Sequence, residues 1–181
     1  MALIQSFPNL WLLSDARNDA VLEAALARLP RGSGFIYRHY HLPPPERRSR
    51  FQKLARLARA RGHTVILADS AQTAREWGAE GIYGAPLALV PRREDLLSLA
   101  AVHSLAEMAQ ARRLGANAVL VSPAFATRTH PGAPYLGPLR WRMLAARAGT
   151  MAVIALGGMN ARSARRLKWP HWAAIDGLSS L

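Results

Sequence analysis

The sequence predicts an α/β protein, a compact (β/α)8 TIM barrel that forms a single domain over residues 1–181. Short apolar runs alternate with amphipathic stretches along the whole chain, which is typical of parallel strands joined by helices. Half of the residues are apolar and no long linker divides the chain, so one substantial core is expected. Eight strand-like runs favour a closed barrel with right-handed crossovers, and an open doubly wound sheet is the alternative.

The predicted strands are short and almost entirely apolar, as expected for parallel strands that are buried on both faces. Glycine and proline clusters mark many of their boundaries. The eight strands are predicted at Trp11–Ser14, Phe35–His39, Thr64–Ala68, Gly81–Tyr83, Leu99–Val102, Ala118–Val121, Ala152–Leu156 and Ala173–Ile175.

Helices are predicted between most of these strands, from apolar residues that recur at helical spacing. Ser104 and Glu107 predict a capping box, in which the hydroxyl and the carboxylate satisfy free backbone amides, and Asn160 predicts a further cap. The helices are predicted at Asp19–Leu29, Glu46–Arg61, Ala71–Trp77, from Ser104 to near Gly115, at Leu139–Ala148 and from Asn160 to near Lys168.

The formal net charge is +13, and it comes almost wholly from arginine, since Lys53 and Lys168 are the only lysines. The arginines are spread through the predicted helices and lack interleaved aromatic residues on which bases could stack. We therefore expect solvated basic faces rather than a nucleic-acid surface. The charge favours phosphorylated small molecules as ligands.

Composition also limits the cellular setting that we predict. With no cysteine, disulfides and thiolate metal sites are excluded. The N-terminus has no basic region followed by a long apolar stretch, and nowhere do about 18 uncharged apolar residues run together. We expect a cytoplasmic protein without membrane contact. The sequence does not specify an oligomeric state.

The sixth predicted strand runs directly into a polar loop rich in glycine and proline. Ser122 begins this loop, and Arg128 and His130 follow within it. Ligands of α/β folds bind at the carboxyl ends of parallel strands, so we expect these side chains to contact a ligand. Thr127 and Thr129 lie in the same loop, and the alternative for these two residues is that they only support its structure.

Two consecutive glycines, Gly157 and Gly158, follow the seventh predicted strand and precede a helix. Glycines allow close approach of backbone amides to a ligand, and a helix start adds partial positive charge, so the segment predicts a phosphate site. Gly177 and Ser179, after the last strand, would supply its other half. A tight turn without a ligand is the alternative.

Several motifs in a fixed order resemble the thiamine phosphate synthase family and its TenI-type thiazole tautomerase relatives, which are small (β/α)8 barrels. The resemblance covers nearly the whole chain. The segments that carry it are Leu10–Asp15, Gly78–Gly81, Val102–Ser104, Gly115–Val119, Ser122–Gly132 and Ala155–Gly158.

The resemblance implies a reaction that joins an aminopyrimidine diphosphate to a thiazole phosphate, releasing pyrophosphate, with magnesium on the diphosphate. Pyrophosphate leaves a stabilised pyrimidine cation, so such a site needs positive charge on the leaving group and an anchor for the thiazole. By resemblance, Thr127 and Thr129 bind pyrophosphate, Gly157–Gly158 binds the thiazole phosphate, Arg38 matches the arginine of the second-strand motif, and Asp69 helps to hold magnesium.

The chain departs from the family pattern around the diphosphate. Tyr40 stands where the family has a lysine, Asp69 alone remains of the asparagine, aspartate and arginine after the third strand, and Tyr83–Leu87 replaces a motif with a histidine and a second aspartate. These losses suggest a member that binds a phosphorylated ligand without full synthase activity.

Two classes of function therefore stay open: a transferase or isomerase of thiamine biosynthesis, and a non-catalytic barrel that binds phosphorylated ligands. A tautomerase needs an acid or base. His39, Tyr40, His103 and His130 are candidates for it, but the tautomerase histidine corresponds to Pro123 here. A cavity that gathers Arg38, Tyr40, Asp69 and His130 would favour catalysis, and one filled by Tyr40, Tyr83 and Leu87 would favour binding alone.

Overall fold

The computed structural model describes residues 7–127 and 132–178, and these form a closed barrel of eight parallel strands. The prediction of a compact (β/α)8 TIM barrel is confirmed, and the open-sheet alternative is wrong, because the last strand pairs with the first. The strands are β1 (Leu10–Leu13), β2 (Gly34–Tyr37), β3 (Thr64–Leu67), β4 (Gly81–Gly84), β5 (Leu97–Val102), β6 (Ala118–Val121), β7 (Ala152–Ala155) and β8 (Trp172–Ala174).

Helices surround the barrel, and the connection after β4 is a single 3₁₀ turn, Pro86–Leu89, which helps to keep the fold small. A second 3₁₀ helix, Ala16–Val21, follows β1. The α-helices are α1 (Leu22–Arg28), α2 (Pro44–Ala60), α3 (Ala71–Trp77), α4 (Leu105–Arg113), α5 (Gly137–Ala145) and α6 (Ala161–Leu167). No helix in the described ranges is long and apolar enough to cross a membrane.

The helix predicted at Asp19–Leu29 begins earlier than expected, as the 3₁₀ helix that leads into α1. Asp15 caps it, because its carboxylate accepts a hydrogen bond from the Arg17 amide at 3.2 Å. In return, the Asn18 side chain accepts a bond from the Asp15 amide at 2.8 Å. This reciprocal cap moves the helix start toward the end of β1.

The two predicted caps have different outcomes. Ser104 accepts a bond from the Glu107 amide at 3.2 Å, but the Glu107 carboxylate accepts from the His103 amide, one residue earlier than a capping box requires. Asn160 caps α6 as predicted and forms a full capping box with Ser163. The box at Ser104 is therefore only half formed.

Apolar side chains fill the barrel interior, while a second apolar layer lies between the strands and the helices. Trp11 is fully buried in the interior, and its indole N–H donates to the Pro8 carbonyl at 2.9 Å. Its ring lies against Gly34, where a Cβ would collide with it. Because the interior is filled, a ligand would have to bind toward an end of the barrel.

Candidate active site at the mouth of the barrel

A cavity of about 700 Å³ opens at the carboxyl ends of the strands, which is within the usual size range of small-molecule sites. Loops after β2, β4, β5, β6, β7 and β8 contribute to its lining. The structure brings six of the predicted site residues together on this lining: Arg38, Ser122, Thr127, Gly157, Gly158 and Gly177.

Other predicted residues are placed elsewhere. Arg128, Thr129, His130 and Ser179 lie outside the described residues, so their roles stay predictions. Asp69, the predicted magnesium ligand, is described but does not line the cavity.

The glycines form one wall of the cavity because the fold leaves no room for side chains there. Gly157 and Gly158 have φ angles of +89° and +63°, in the left-handed region that favours glycine. A Cβ at Gly157 would lie 2.7 Å from the Pro123 Cα, and one at Gly158 would collide with the Ala126 carbonyl. Close packing against the loop after β6 thus leaves bare backbone facing the cavity.

The start of α6 borders the same wall, where Asn160 lines the cavity. The Asn160 side chain accepts bonds from the amides of Arg162 and Ser163, at 2.9 and 3.0 Å. The sequence analysis predicted that the start of this helix helps to bind a phosphate. Two of its free amides instead already donate to the Asn160 side chain. A ligand at this wall would be held mainly by the glycine loop rather than by the helix end.

Arg38 is the one arginine or lysine among the described residues that line the cavity. Its side chain is 23% exposed, its Nη2 lies 3.7 Å from Asp15 Oδ2, and its guanidinium lies 5.8 Å from the centre of the Tyr40 ring. Its backbone amide donates to Ser14 Oγ at 2.7 Å. Arg38 is thus fixed through its backbone while its side chain reaches the cavity.

A buried chain of hydrogen bonds continues from Ser14. His39 Nδ1 lies 2.8 Å from Ser14 Oγ, and His39 Nε2 lies 2.7 Å from Asp19 Oδ1. The ionised Asp19 carboxylate can only accept, so Nε2–H of a neutral His39 donates to it. His39 Nδ1 then carries no hydrogen and accepts from the Ser14 hydroxyl. Burial lowers the pKa of His39, although its bond to Asp19 opposes that effect.

Ser14 is fully buried and His39 does not line the cavity, so this serine–histidine–aspartate chain orients Arg38 rather than attacking a ligand. Sequence reasoning offered His39 as an acid or base and missed the chain. Its members follow β1 and β2 as polar residues at the carboxyl ends of strands, and that was the pattern that could have revealed them.

Asp69 is bound by an arginine of α2. Arg47 Nη1 donates to Asp69 Oδ2 at 2.5 Å, and the same guanidinium donates to the carbonyls of Ala68 at 3.0 Å and Arg38 at 2.9 Å. The Arg47 side chain is only 11% exposed, although the sequence predicted a solvated face for α2. We call Arg47 and Asp69, with these two carbonyls, the arginine clamp.

Aromatic rings enclose the arginine clamp. The Arg47 guanidinium carbon lies 5.5 Å from the ring centres of Tyr40 and Trp77 and 5.9 Å from that of Tyr37. Such contacts favour a cation in this position. Burial acts to raise the pKa of Asp69, but the hydrogen bonds from Arg47, Ser70 and Thr73 and the charge of Arg47 together outweigh it, so that pKa lies below its usual value.

The described residues do not fit a magnesium ion at Asp69. Magnesium takes several oxygen ligands, whereas the carboxylate of Asp69 faces a guanidinium. Across the two described ranges there is no group of three or more histidine, aspartate or glutamate side chains that could hold a metal. The role of Asp69 as a metal ligand stays a prediction.

Tyrosine and histidine side chains complete the cavity. Tyr40, Tyr83 and His103 line it, whereas Leu87, whose presence there with the two tyrosines would have favoured binding alone, is 65% exposed and lies outside the lining. Burial raises the pKa of Tyr83 to about 12, so the phenol stays protonated at neutral pH. The cavity therefore remains open, with hydroxyl groups on one side and bare glycine backbone on the other.

Comparison with solved structures places this barrel among known ones. Thiamine phosphate pyrophosphorylase from Pyrococcus furiosus is similar with a TM-score of 0.77 and 22% identity over 99% of this chain and 90% of that chain. Thiamine phosphate pyrophosphorylase from Bacteroides thetaiotaomicron has a TM-score of 0.58 and 15% identity over 93% of this chain and 82% of that chain. The M276A mutant of FabK from Thermotoga maritima has a TM-score of 0.72 and 15% identity over 97% of this chain and 64% of that chain.

These identities are low enough that the similarities establish the fold alone, and FabK shares it too. No curated protein matches the sequence significantly. The sequence profile described as thiamine monophosphate synthase matches residues 10–177, which includes every strand of the barrel and the whole glycine wall. The chain therefore belongs to the thiamine monophosphate synthase family.

Proposed function

We propose that this family member binds a thiazole phosphate at the mouth of the barrel and has lost the magnesium and diphosphate half of the synthase reaction. The phosphate would lie against the glycine wall of Gly157, Gly158 and Gly177, and the ring would point toward Arg38 and Tyr83. In this proposal the protein is a degenerate thiamine phosphate synthase that acts as a binder of phosphorylated ligands.

The arginine clamp is the observation that carries the proposal. Asp69 is the one carboxylate of the family pattern that remains after β3, and Arg47 holds it 2.5 Å away, outside the cavity lining. A magnesium ion at Asp69 would have to displace a guanidinium that also binds two backbone carbonyls. The clamp therefore supports a site that no longer offers the carboxylate of Asp69 to a metal.

The glycine wall supports the retained half of the site. Bare backbone can approach a phosphate closely, and hydrogen bonds to a charged group are the stronger kind. The volume of about 700 Å³ suits a ligand larger than phosphate itself. Hydroxyl groups of Ser122, Tyr40 and Tyr83 are available on the lining for polar groups of a heterocycle.

Full synthase activity is the second candidate, because Arg38, Ser122 and Thr127 all line the cavity. Arg38 could stabilise the charge that develops on a departing pyrophosphate, and a neighbouring thiazole would then attack the pyrimidine carbon. Tautomerase activity has weaker support, because Pro123 lines the cavity at the position that corresponds to its histidine. Of the described candidate acids or bases, His39 is buried elsewhere, while Tyr40 and His103 line the cavity.

Calorimetric titration of the purified protein with thiazole phosphate tests the proposal, with and without magnesium. We expect binding that magnesium does not strengthen. Gly158→Ala should abolish it, because the new Cβ collides with the Ala126 carbonyl. Gly84→Ala is the matched control: Gly84 lines the same cavity, but a Cβ there would lie 3.5 Å from Ala88 in ordinary contact.

If the Gly158→Ala variant bound thiazole phosphate as tightly as the wild type, the glycine wall would not be the phosphate site and the proposal would be contradicted. Binding that appears only when magnesium is present would contradict the loss of the metal site. Circular dichroism of both variants controls for misfolding, and comparison with the Gly84→Ala variant separates a local effect from a general one.

A further inference from the structure

A second cavity lies at the opposite end of the barrel, where the chain enters β5, β6 and β7. Its volume is about 550 Å³, and it is lined by the segment before β5, the turn between α4 and β6, and the connection between α5 and β7. We call it the lower groove. The segment Gly115–Val119, which carries part of the family resemblance, begins in its lining, but the resemblance implies no ligand there.

Among the described residues, the lining of the lower groove has two arginines and no carboxylate. Arg92 and Arg112 line it, both are exposed, and neither forms an ion pair within residues 7–127 and 132–178. The nearby acid Asp95 is occupied, since Arg75 binds its carboxylate at 2.6 Å. By contrast, Arg47 and Arg50 on α2 both have carboxylate partners.

Glycine turns let both guanidinium groups lie against the backbone of the groove. Gly115 and Gly149 each have a φ angle of +66°, which favours glycine. A Cβ at Gly115 would lie 3.3 Å from Arg92 Nη1, and a Cβ at Gly149 would lie 3.6 Å from Arg112 Nε. A side chain at Gly115 would crowd Arg92, so the glycine keeps space for that guanidinium.

Backbone donors add to the positive side chains. The amide groups of Gly149 and Thr150, which line the groove, donate to no other residue in the part of the chain that the structure describes. Free N–H groups, a threonine hydroxyl and two guanidinium groups are all donors that phosphate oxygens accept. The groove thus offers donors without a matching acceptor.

We propose that the lower groove is a second anion site, which binds a small phosphate-bearing molecule independently of the cavity at the barrel mouth. One guanidinium group lies beside the Gly115 turn and the other beside the Gly149 turn, and each can bind oxygens of a phosphate or diphosphate. The described lining residues include no aromatic side chain on which a base could stack, so a small phosphate compound fits better than a nucleic acid.

Amide NMR spectra recorded during titration with inorganic pyrophosphate, at constant ionic strength, test this proposal. We expect the amide signals of Gly115, Gly149 and Thr150 to shift with a common saturating curve. These signals are separate from those of Gly157 and Gly158, so failure of the mouth site would not hide binding at the lower groove, and the converse also holds.

The double variant Arg92→Gln/Arg112→Gln should bind pyrophosphate at least about tenfold more weakly, judged from the shifts at the groove. The control Arg48→Gln/Arg56→Gln removes the same charge from exposed positions of α2 and should leave the groove affinity unchanged. Equal weakening by both double variants would show attraction by net charge and overturn the proposal. Groove signals that do not shift, or that report tighter binding of an oligothymidylate than of pyrophosphate, would also overturn it.

Discussion

Replacing Arg47 by methionine gives the clearest prediction about how the loops at the mouth are held. The change keeps an unbranched, apolar side chain but removes the guanidinium and its hydrogen bonds to Asp69 and to the carbonyls of Ala68 and Arg38. The Asp69 carboxylate would then be left without its cation. We expect a lower free energy of unfolding, with the effect concentrated at this clamp.

The size of the effect follows from the exposure of the two partners. Removing one partner of a fully buried pair costs about 3–5 kcal/mol. Arg47 is 11% exposed but Asp69 is 30% exposed, so water can solvate part of the carboxylate. After that discount we expect a loss of about 2–3 kcal/mol, equivalent to a fall in Tm of about 4–12 °C for a chain of this size.

Urea denaturation followed by circular dichroism measures this loss, with Arg48→Met as the control. Arg48 is exposed and forms no ion pair in the described ranges, so its replacement should change the free energy of unfolding by less than about 0.5 kcal/mol. A loss below about 1 kcal/mol for Arg47→Met would refute the reasoning.

The pH dependence gives a second check on the same variant. The pKa of Asp69 is lower in the folded protein than in the unfolded chain, so its contribution is present above about pH 4 and is lost as the pH falls through the folded value. The difference between wild type and Arg47→Met should therefore shrink as the pH falls below the unfolded value of about 4. An equal difference at neutral and acid pH would mean that the clamp is not electrostatic.

Three further predictions concern the barrel and its buried polar groups. Gly34→Ala should lower the free energy of unfolding by about 2 kcal/mol or more, because the Cβ collides with Trp11, and wild-type denaturation curves would contradict this. Asn18→Ala should lower the free energy of unfolding in urea by about 2–3 kcal/mol, since this buried side-chain amide donates to carbonyls at the ends of β1 and β8, at 3.0 and 3.1 Å. A loss below about 0.5 kcal/mol would exclude that role. Burial lowers the pKa of His39 and of His63, so the free energy of unfolding should fall as the pH drops below the unfolded value of about 6.5. His39→Gln should make this fall shallower, and His63 should cause the part that remains. Parallel pH profiles for the wild type and the variant would contradict the prediction.

The sequence predicted the parts of the fold that depend on local pattern. Short apolar runs between amphipathic stretches were sufficient for all eight strands and the closed barrel, because buried parallel strands have a distinctive composition. The paired glycines after β7 were identified for the same reason: few other residues can turn the chain there. Their position on the cavity follows from the fold once the barrel is known.

Contacts between distant residues were beyond such patterns. Arg47 looked like one of several solvated arginines on α2, and only the packed structure brings it against Asp69, 22 residues later. The cap at Asp15 was also missed, because Asn18 is an unusual partner in a capping box. Side-chain partners that depend on the approach of separate elements cannot be read from spacing alone.

The most direct test of the proposed function is a turnover assay. The purified protein is incubated with the aminopyrimidine diphosphate, thiazole phosphate and magnesium, and thiamine phosphate is followed over time. We predict no product above the background without protein, while calorimetry on the same sample shows that thiazole phosphate binds. Thiamine phosphate formation that depends on magnesium and is lost in the Asp69→Asn variant would contradict the account and establish a working synthase.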